Sequence, residues 1–236
     1  AELLEFGGIH ASQNSMTMAV ELRGHDCAPI AASGDSVRSR LISMASVSRL
    51  PRAAVDDHLV AIAESRSFHP VQKWLEDGAT WDGTPRMDKV IACLPTKDPE
   101  LTRLVMRRWL VGCVAALHER KFSSKLTPVL QGEQSYRKTA FISRLASVVD
   151  GSFLEGHLLD PSSKDSVLTA IRSWICELGE LERTTARESG SLKAFLTKQV
   201  DSVRPPYGRT DVHKPRQTVF IGSVNGSSFL TDKTGT

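Results

Sequence analysis

The period of the apolar positions changes along this chain. In "DSVRSRLISMASVSRLPRAAVDDHLVAIAES", from Asp35 to Ser65, apolar residues recur at helical spacing on both sides of Leu50-Pro51. Proline is accommodated in the first turn of a helix, where the N–H it lacks would have no partner, so the pattern predicts two helices meeting at Pro51. Between Phe68 and His118, "FHPVQKWLEDGATWDGTPRMDKVI" followed by "ELTRLVMRRWLVGCVAAL" predicts a helix, a turn around Trp81-Asp82-Gly83 and a further helix, whose Arg103, Arg107 and Arg108 form a solvated or subunit-facing edge.

Beyond Leu126 short apolar runs alternate with helical patterns. Leu126 to Leu130 is a strand candidate and Thr139 to Val149 an amphipathic helix. Ser162 and Asp165 have the spacing of a capping box ahead of the helix "KDSVLTAIRS", and "WICELGE" reads as a buried strand ending in acids. The helix "SLKAFLTK", the two-armed segment "VRPPYGRTDVHKPR" and the strand "QTVFIGSVN", which ends on Asn225, complete the series. Such alternation predicts an α/β layer with a parallel sheet. The expected organisation is an α-helical region over 1–67, a helical lead-in over 68–125 and an α/β core over 126–236.

Composition adds little that the pattern does not already say. With 236 residues, 40% of them hydrophobic and 24% charged, the chain can bury a sizeable core. A net charge of +3 is too weak to name a nucleic-acid partner unless the cations cluster. The absence of a long apolar run and of a signal-peptide pattern at the start leads to the expectation of a cytoplasmic protein with no membrane partner. Cys27, Cys93, Cys113 and Cys176 form no CxxC pair and are read as reduced, mostly buried thiols. The opening on Ala1 and the end in "FLTDKTGT" lead to the expectation of a piece of a longer protein.

The chemistry concentrates in "PVLQGEQSYRKTAFISRLA", Pro128 to Ala146. A strand, a glycine, a polar loop, then Lys and Thr opening a helix is the layout of a phosphate-binding loop, in which backbone N–H groups and the positive end of the helix converge on an anion. Gly132, Gln134, Ser135, Tyr136, Arg137, Lys138 and Thr139 are the candidate ATP-binding residues. Lys138 would reach the β- and γ-phosphates and Thr139 would place its hydroxyl on Mg²⁺. The pattern GxxxxGK(S/T) has glycine where this chain has Arg137, so the loop has to reach the same backbone shape with a bulky residue.

Acids at the end of the next buried strand strengthen the reading. Glu177 is placed to join Thr139 in the metal's shell and to polarise water, with Glu180 as a second catalytic acid. Asn225, after the last strand, has an amide able to orient the attacking water. Arg204, Tyr207, Arg209, His213, Lys214 and Arg216 gather cations and rings in one short segment with Asp211 as its one acid. It is read as a DNA-contacting hairpin; the alternative is a hairpin whose arginines pair with carboxylates of a neighbouring subunit.

Through "FHPVQKWL", "WDGTPRMD", "RRWLVG", "LQGEQSYRKT", "WICELGEL", "LKAFLTKQVDSVRPPYGR" and "PRQTVFIGSVNGSSFL", from about Phe68 onward, the chain resembles the virulence-associated protein E family of phage and mobile-element proteins. The resemblance implies a P-loop AAA+ core like that of superfamily 3 helicases, often attached to a primase or initiator module, assembling as a homo-oligomeric, hexameric ring and translocating on single-stranded DNA. It matches Gly132, Lys138 and Thr139 to the phosphate loop, Glu177 to the acidic motif and Asn225 to the polar sensor. Two departures stand out: Arg137 replaces the usual glycine, and the chain stops at Thr236 where the family continues into an Arg-rich stretch. The expected function is that of an ATP- and Mg²⁺-dependent DNA helicase core for replication of a phage or mobile element. A second reading is a ring-forming, DNA-binding initiator scaffold whose nucleotide site is degraded by Arg137; a third, a P-loop phosphotransferase acting on a small molecule, would need an acceptor pocket, for which the sequence shows no candidate.

Overall fold

Two helices flank Pro51 as the apolar spacing predicts, Gly34–Val47 and Arg52–Glu64, with Pro51 itself as the N-cap of the second. They belong to the first of two units, Ala1–Pro70 and Val71–Thr236, into which the computed structural model divides. The structure describes residues 2–24, 34–179, 181, 186–204 and 211–225.

The first unit opens with α1 (Glu2–Phe6), followed by strands β1 (His10–Asn14) and β2 (Ala19–Arg23), which pair antiparallel, and by the two helices above, α2 and α3. The ribbon departs from the all-helical expectation for this region. Its turn is made by Asn14, whose Oδ1 accepts from the N–H groups of Met16 and Thr17 while its Nδ2 donates to Glu21. A short polar side chain that satisfies backbone donors locally is what makes such a turn cheap. Phe68 lies along β1, its N–H donating to Gln13 and its carbonyl accepting from Ser15. Leu4, Ile9, Ala11, Leu41, Ala45, Val55 and Ala63 close the core of this unit.

The second unit begins inside α4 (Pro70–Glu76) and continues with α5 (Met87–Ile91) and α6 (Pro99–His118). Asp82 and Gly83 make the expected turn: Asp82 accepts from the Thr84 N–H, and Gly83 has φ +80. Asp98 caps α6 by accepting from the Leu101 N–H, with Pro99 in the first turn. Arg103 and Arg107 both reach Asp88 on α5, at 2.8 and 3.6 Å, which holds this exposed edge together.

The α/β core then runs β3 (Val129–Gln131), α7 (Lys138–Ala146), β4 (Phe153–His157), α8 (Lys164–Ala170), β5 (Ile175–Leu178), α9 (Ala186–Leu196), β6 (Val200–Val203), β7 (Val212–Pro215) and β8 (Val219–Val224). Four strands form a parallel sheet in the order β3-β8-β5-β4. This is the α/β core that the alternation predicts. All four residues of β5 are buried, and so are most of β8, as expected for central strands covered on both faces. The indole N–H of Trp109 on α6 donates to the Phe220 carbonyl of β8 at 2.9 Å, and that of Trp174 donates to Cys113 on α6 at 2.8 Å, so α6 is fixed against the sheet. The cap of α8 lies one residue later than the spacing predicts: Ser163 accepts from Ser166, while the Ser162 hydroxyl turns back to Asp160. Of the cysteines, Cys113 and Cys176 are buried free thiols, Cys93 is an exposed one, and Cys27 lies outside the described residues.

A candidate nucleotide site at the strand ends

The loop between β3 and α7 emerges from the carboxyl end of its strand, where open α/β sheets hold their ligands. Its first residue is tied to the sheet, the Gly132 N–H donating to the Val224 carbonyl of β8 at 3.2 Å. Two non-glycine residues in it take the left-handed conformation, Ser135 at φ 71 and Arg137 at φ 55 and ψ 30. Such a conformation costs a side-chain-bearing residue about 1–2 kcal/mol, which is why glycine is usual there. Arg137 therefore adopts the backbone shape that a glycine would, with its side chain on the exposed side of the loop. Arg137 offers no side-chain cap to α7, so the N–H groups of the helix's first turn stay open to an anion.

Three chain segments converge on this turn. Lys138 Nζ donates to the carbonyls of Gly132 and Glu133 at 2.7 and 2.9 Å and to Asn225 Oδ1 at 3.0 Å. Thr139 Oγ1 donates to Glu177 Oε1 at 2.7 Å. The strand order explains the meeting: β8 lies between β3 and β5, so Asn225 leaves the sheet between the loop and the acid. Glu177 is wholly buried, and its Oε2 has no hydrogen-bond partner. A carboxylate held dry with one oxygen unsatisfied is expensive, and proteins keep such groups at sites of function. Its neighbour Cys176 is no nucleophile, since burial and then the Glu177 charge push its thiol up to about 12.

Two recesses flank the loop, and Tyr136, Arg137 and Lys138 line both. One, of about 590 Å³, is polar; Gln134, Ser135, Thr139, Ser223, Asn225 and Glu155 contribute to it. The other, of about 680 Å³, is walled largely by apolar side chains, among them Leu94, Leu101, Val105 and Phe141. All the predicted loop residues are thus placed around the two recesses, Gly132 in the apolar one.

The cationic segment does form the expected hairpin, β6 pairing antiparallel with β7, but its residues divide. Arg204 and His213 are exposed, Arg204 with its Nε 3.1 Å from Asp211. Lys214 and Arg216, read from the sequence as DNA contacts, are buried. Arg216 forms a paired ion contact with Asp201, donates to the Phe195 carbonyl, and stacks 4.4 Å from the Phe195 ring centroid. Lys214 donates to the Ile171 carbonyl at the end of α8, and burial pulls its ammonium down to about 8. The alternation of the strand turns these cations inward, where they pin the base of the hairpin to α8 and α9. Tyr207, Arg209 and Glu180 lie outside the described residues.

Glu155 escaped the sequence reading because β4 itself did. "FLEGH" is short, contains a glycine and shows no clean alternation, so neither period marks it.

A family model described as the virulence-associated protein E-like domain matches residues 75–236. No curated protein matches significantly. Among solved structures, an apo structure of the NrS-1 C-terminal region (305–718) is similar over 100% of this chain and 58% of that one, at 12% identity and a TM-score of 0.58. A second, A-form apo structure of the NrS-1 C-terminal region is similar over 95% of this chain and 55% of that one, at 14% identity and a TM-score of 0.56. The chain therefore spans less than two thirds of these structures, and at such identity the likeness concerns the fold.

Proposed function

Since the chain belongs to the virulence-associated protein E-like domain family, we propose that it is the ATP-hydrolysing core of a DNA helicase serving replication of a phage or mobile element. The observation that carries this reading is the meeting of Lys138, Asn225, Thr139 and Glu177 around one strand-to-helix turn. The triphosphate would lie in the polar recess and the nucleoside in the apolar one, so that the phosphates pass over the open first turn of α7. Lys138 would exchange its loop carbonyls for β- and γ-phosphate oxygens. The Asn225 amide, once released by Lys138, would hold the attacking water or a γ-phosphate oxygen.

Thr139 and Glu177 offer hard oxygen donors, and the unpartnered Oε2 of Glu177 fits a bound Mg²⁺. The ion would take its remaining ligands from phosphate and water. When bound, Mg²⁺ would neutralise charge developing on the β- and γ-phosphates. Arg137 is compatible with all of this, because its backbone already has the left-handed shape.

No described helix is long and apolar enough to cross a membrane. The working assembly would be a homo-oligomeric ring, hexameric by family likeness, with single-stranded DNA in its channel and a primase or initiator module as partner. Exposed Arg204 and His213 on the hairpin support the DNA contact. The test is steady-state phosphate release from ATP with Mg²⁺, for the full chain and for Glu177→Gln. Turnover in the parent that the variant loses, with ATP still bound, supports the reading; a parent that binds DNA and never turns over ATP makes the chain a scaffold.

A further inference from the structure

The polar recess contains one carboxylate among the described residues, and it is neither of the acids that the sequence singled out. Glu177 does not line it: that side chain is wholly buried, with one oxygen on Thr139. The residue that follows Glu177 is Leu178, also buried, and Glu180, the second acid expected from the sequence, lies outside the described residues. Glu155, on the edge strand β4, is exposed and lines the recess together with Lys138, Thr139 and Asn225.

A defect in the sheet puts it there. Leu154 pairs with Cys176, and the next pairing is His157 with Leu178, so Glu155 and Gly156 on β4 together oppose Glu177 on β5. Two residues against one is a β-bulge, a device that bends a strand and re-aims a side chain, and bulges concentrate next to active sites. The surrounding glycines are what the bulge requires. Gly156 sits at φ +58, and a Cβ on Gly179, just past β5, would lie 2.7 Å from the Gly156 carbonyl oxygen. The bulge therefore faces the metal-binding acid and brings a second, wet carboxylate to the mouth of the same site.

We propose that Glu155 is the general base of the reaction, with Glu177 confined to the metal side. This rests on the reading of the site as an ATP hydrolase. An O–H bond of the attacking water breaks and its proton passes to the Glu155 carboxylate. The water oxygen bonds to the γ-phosphorus, the bond from that phosphorus to the β–γ bridging oxygen breaks, and its electron pair leaves on ADP. Glu155 then returns the proton to phosphate or solvent. The two carboxylates so divide the chemistry between them, the dry one holding the ion and the wet one handling the proton.

The experiment uses the full chain and its Glu155→Gln and Glu177→Gln variants, with a fluorescent ATP analogue for affinity, with and without Mg²⁺, and single-turnover phosphate release for chemistry. Glu155→Gln should bind within about 2-fold of the parent, keep the Mg²⁺ dependence of its affinity, and release phosphate at least ~10²-fold more slowly. Glu177→Gln should lose the Mg²⁺ dependence. Phosphate release by Glu155→Gln within about 3-fold of the parent, or a loss of affinity that matches the loss of rate, overturns the assignment and leaves the hydrolase reading standing. A parent that neither binds nor hydrolyses the nucleotide overturns both, and the parent's own measurement tells the two failures apart.

Discussion

The Thr139 hydroxyl donates to Glu177 Oε1 at 2.7 Å across 38 positions of sequence, and so gives a hydrogen bond to a carboxylate that has no exposure to water and whose other oxygen has no partner. Removing it strands both oxygens. Thr139→Ala should therefore lower the free energy of unfolding by about 1–3 kcal/mol, while Thr139→Ser, which keeps the donor, should stay near the parent. Urea denaturation of the three proteins gives the comparison. A Thr139→Ala variant as stable as the parent would mean that Glu177 finds another partner.

Arg137 at φ 55 makes a different prediction, about backbone. Glycine and asparagine tolerate the left-handed region, so Arg137→Gly and Arg137→Asn should remain within about 1 kcal/mol of the parent. Arg137→Val places a β-branched residue there and should lose more than either. If the side chain has no part in binding phosphate, ATP affinity in the Gly and Asn variants should equal the parent's. A large loss in both would show the guanidinium to be a phosphate ligand.

Lys214 sets a pH dependence. Burial, together with Arg216 and Arg172 and against the pull of Asp201, lowers its ammonium from 10.5 to about 8. The folded state therefore holds fewer protons than the unfolded state between those values, and this contribution to stability rises with pH from about 8 to about 10.5, being fully unfavourable below 8. Over that window the gain is on the order of 3 kcal/mol. Lys214→Met should lack this component, so its stability relative to the parent's should fall as pH rises through the window. Asp201→Ala, which leaves Arg216 buried without its partner, should cost about 3–5 kcal/mol.

The same burial corrects where DNA contact is sought. Arg204→Ala removes an exposed cation and should lower the salt slope of single-stranded DNA binding by roughly 0.7 if Arg204 meets one phosphate. Lys214→Met should leave that slope unchanged at pH 7, because the ammonium faces the Ile171 carbonyl. A flattened slope in Lys214→Met would mean that the hairpin opens on DNA.

The sequence made the chemistry-bearing turn legible because its signals are local. Gly132, Lys138 and Thr139 follow one another between a strand and a helix, and Glu177 and Asn225 each close an apolar run. What could not be read was the detail set by the register of paired strands. The inward turn of Lys214 and Arg216 depends on the register of β7 against β6 and on Asp201 opposite Lys214. Glu155 depends on a bulge that exists only relative to β5. The ribbon of the first unit is carried by "HASQN", a polar strand with little alternation, and the short "AVELR", joined by the Asn14 turn.

ATP binding at the Lys138 turn underlies every catalytic role assigned above, and calorimetric titration of MgATP into the full chain and into Lys138→Ala tests it directly. Lys138 has three acceptors in the structure, two loop carbonyls and Asn225, all of which phosphate oxygens would replace. Loss of a charge-assisted contact of this kind should weaken binding about 10- to 100-fold. An affinity for MgATP that is the same in both proteins would contradict a nucleotide site at this turn and take the turn out of the protein's chemistry.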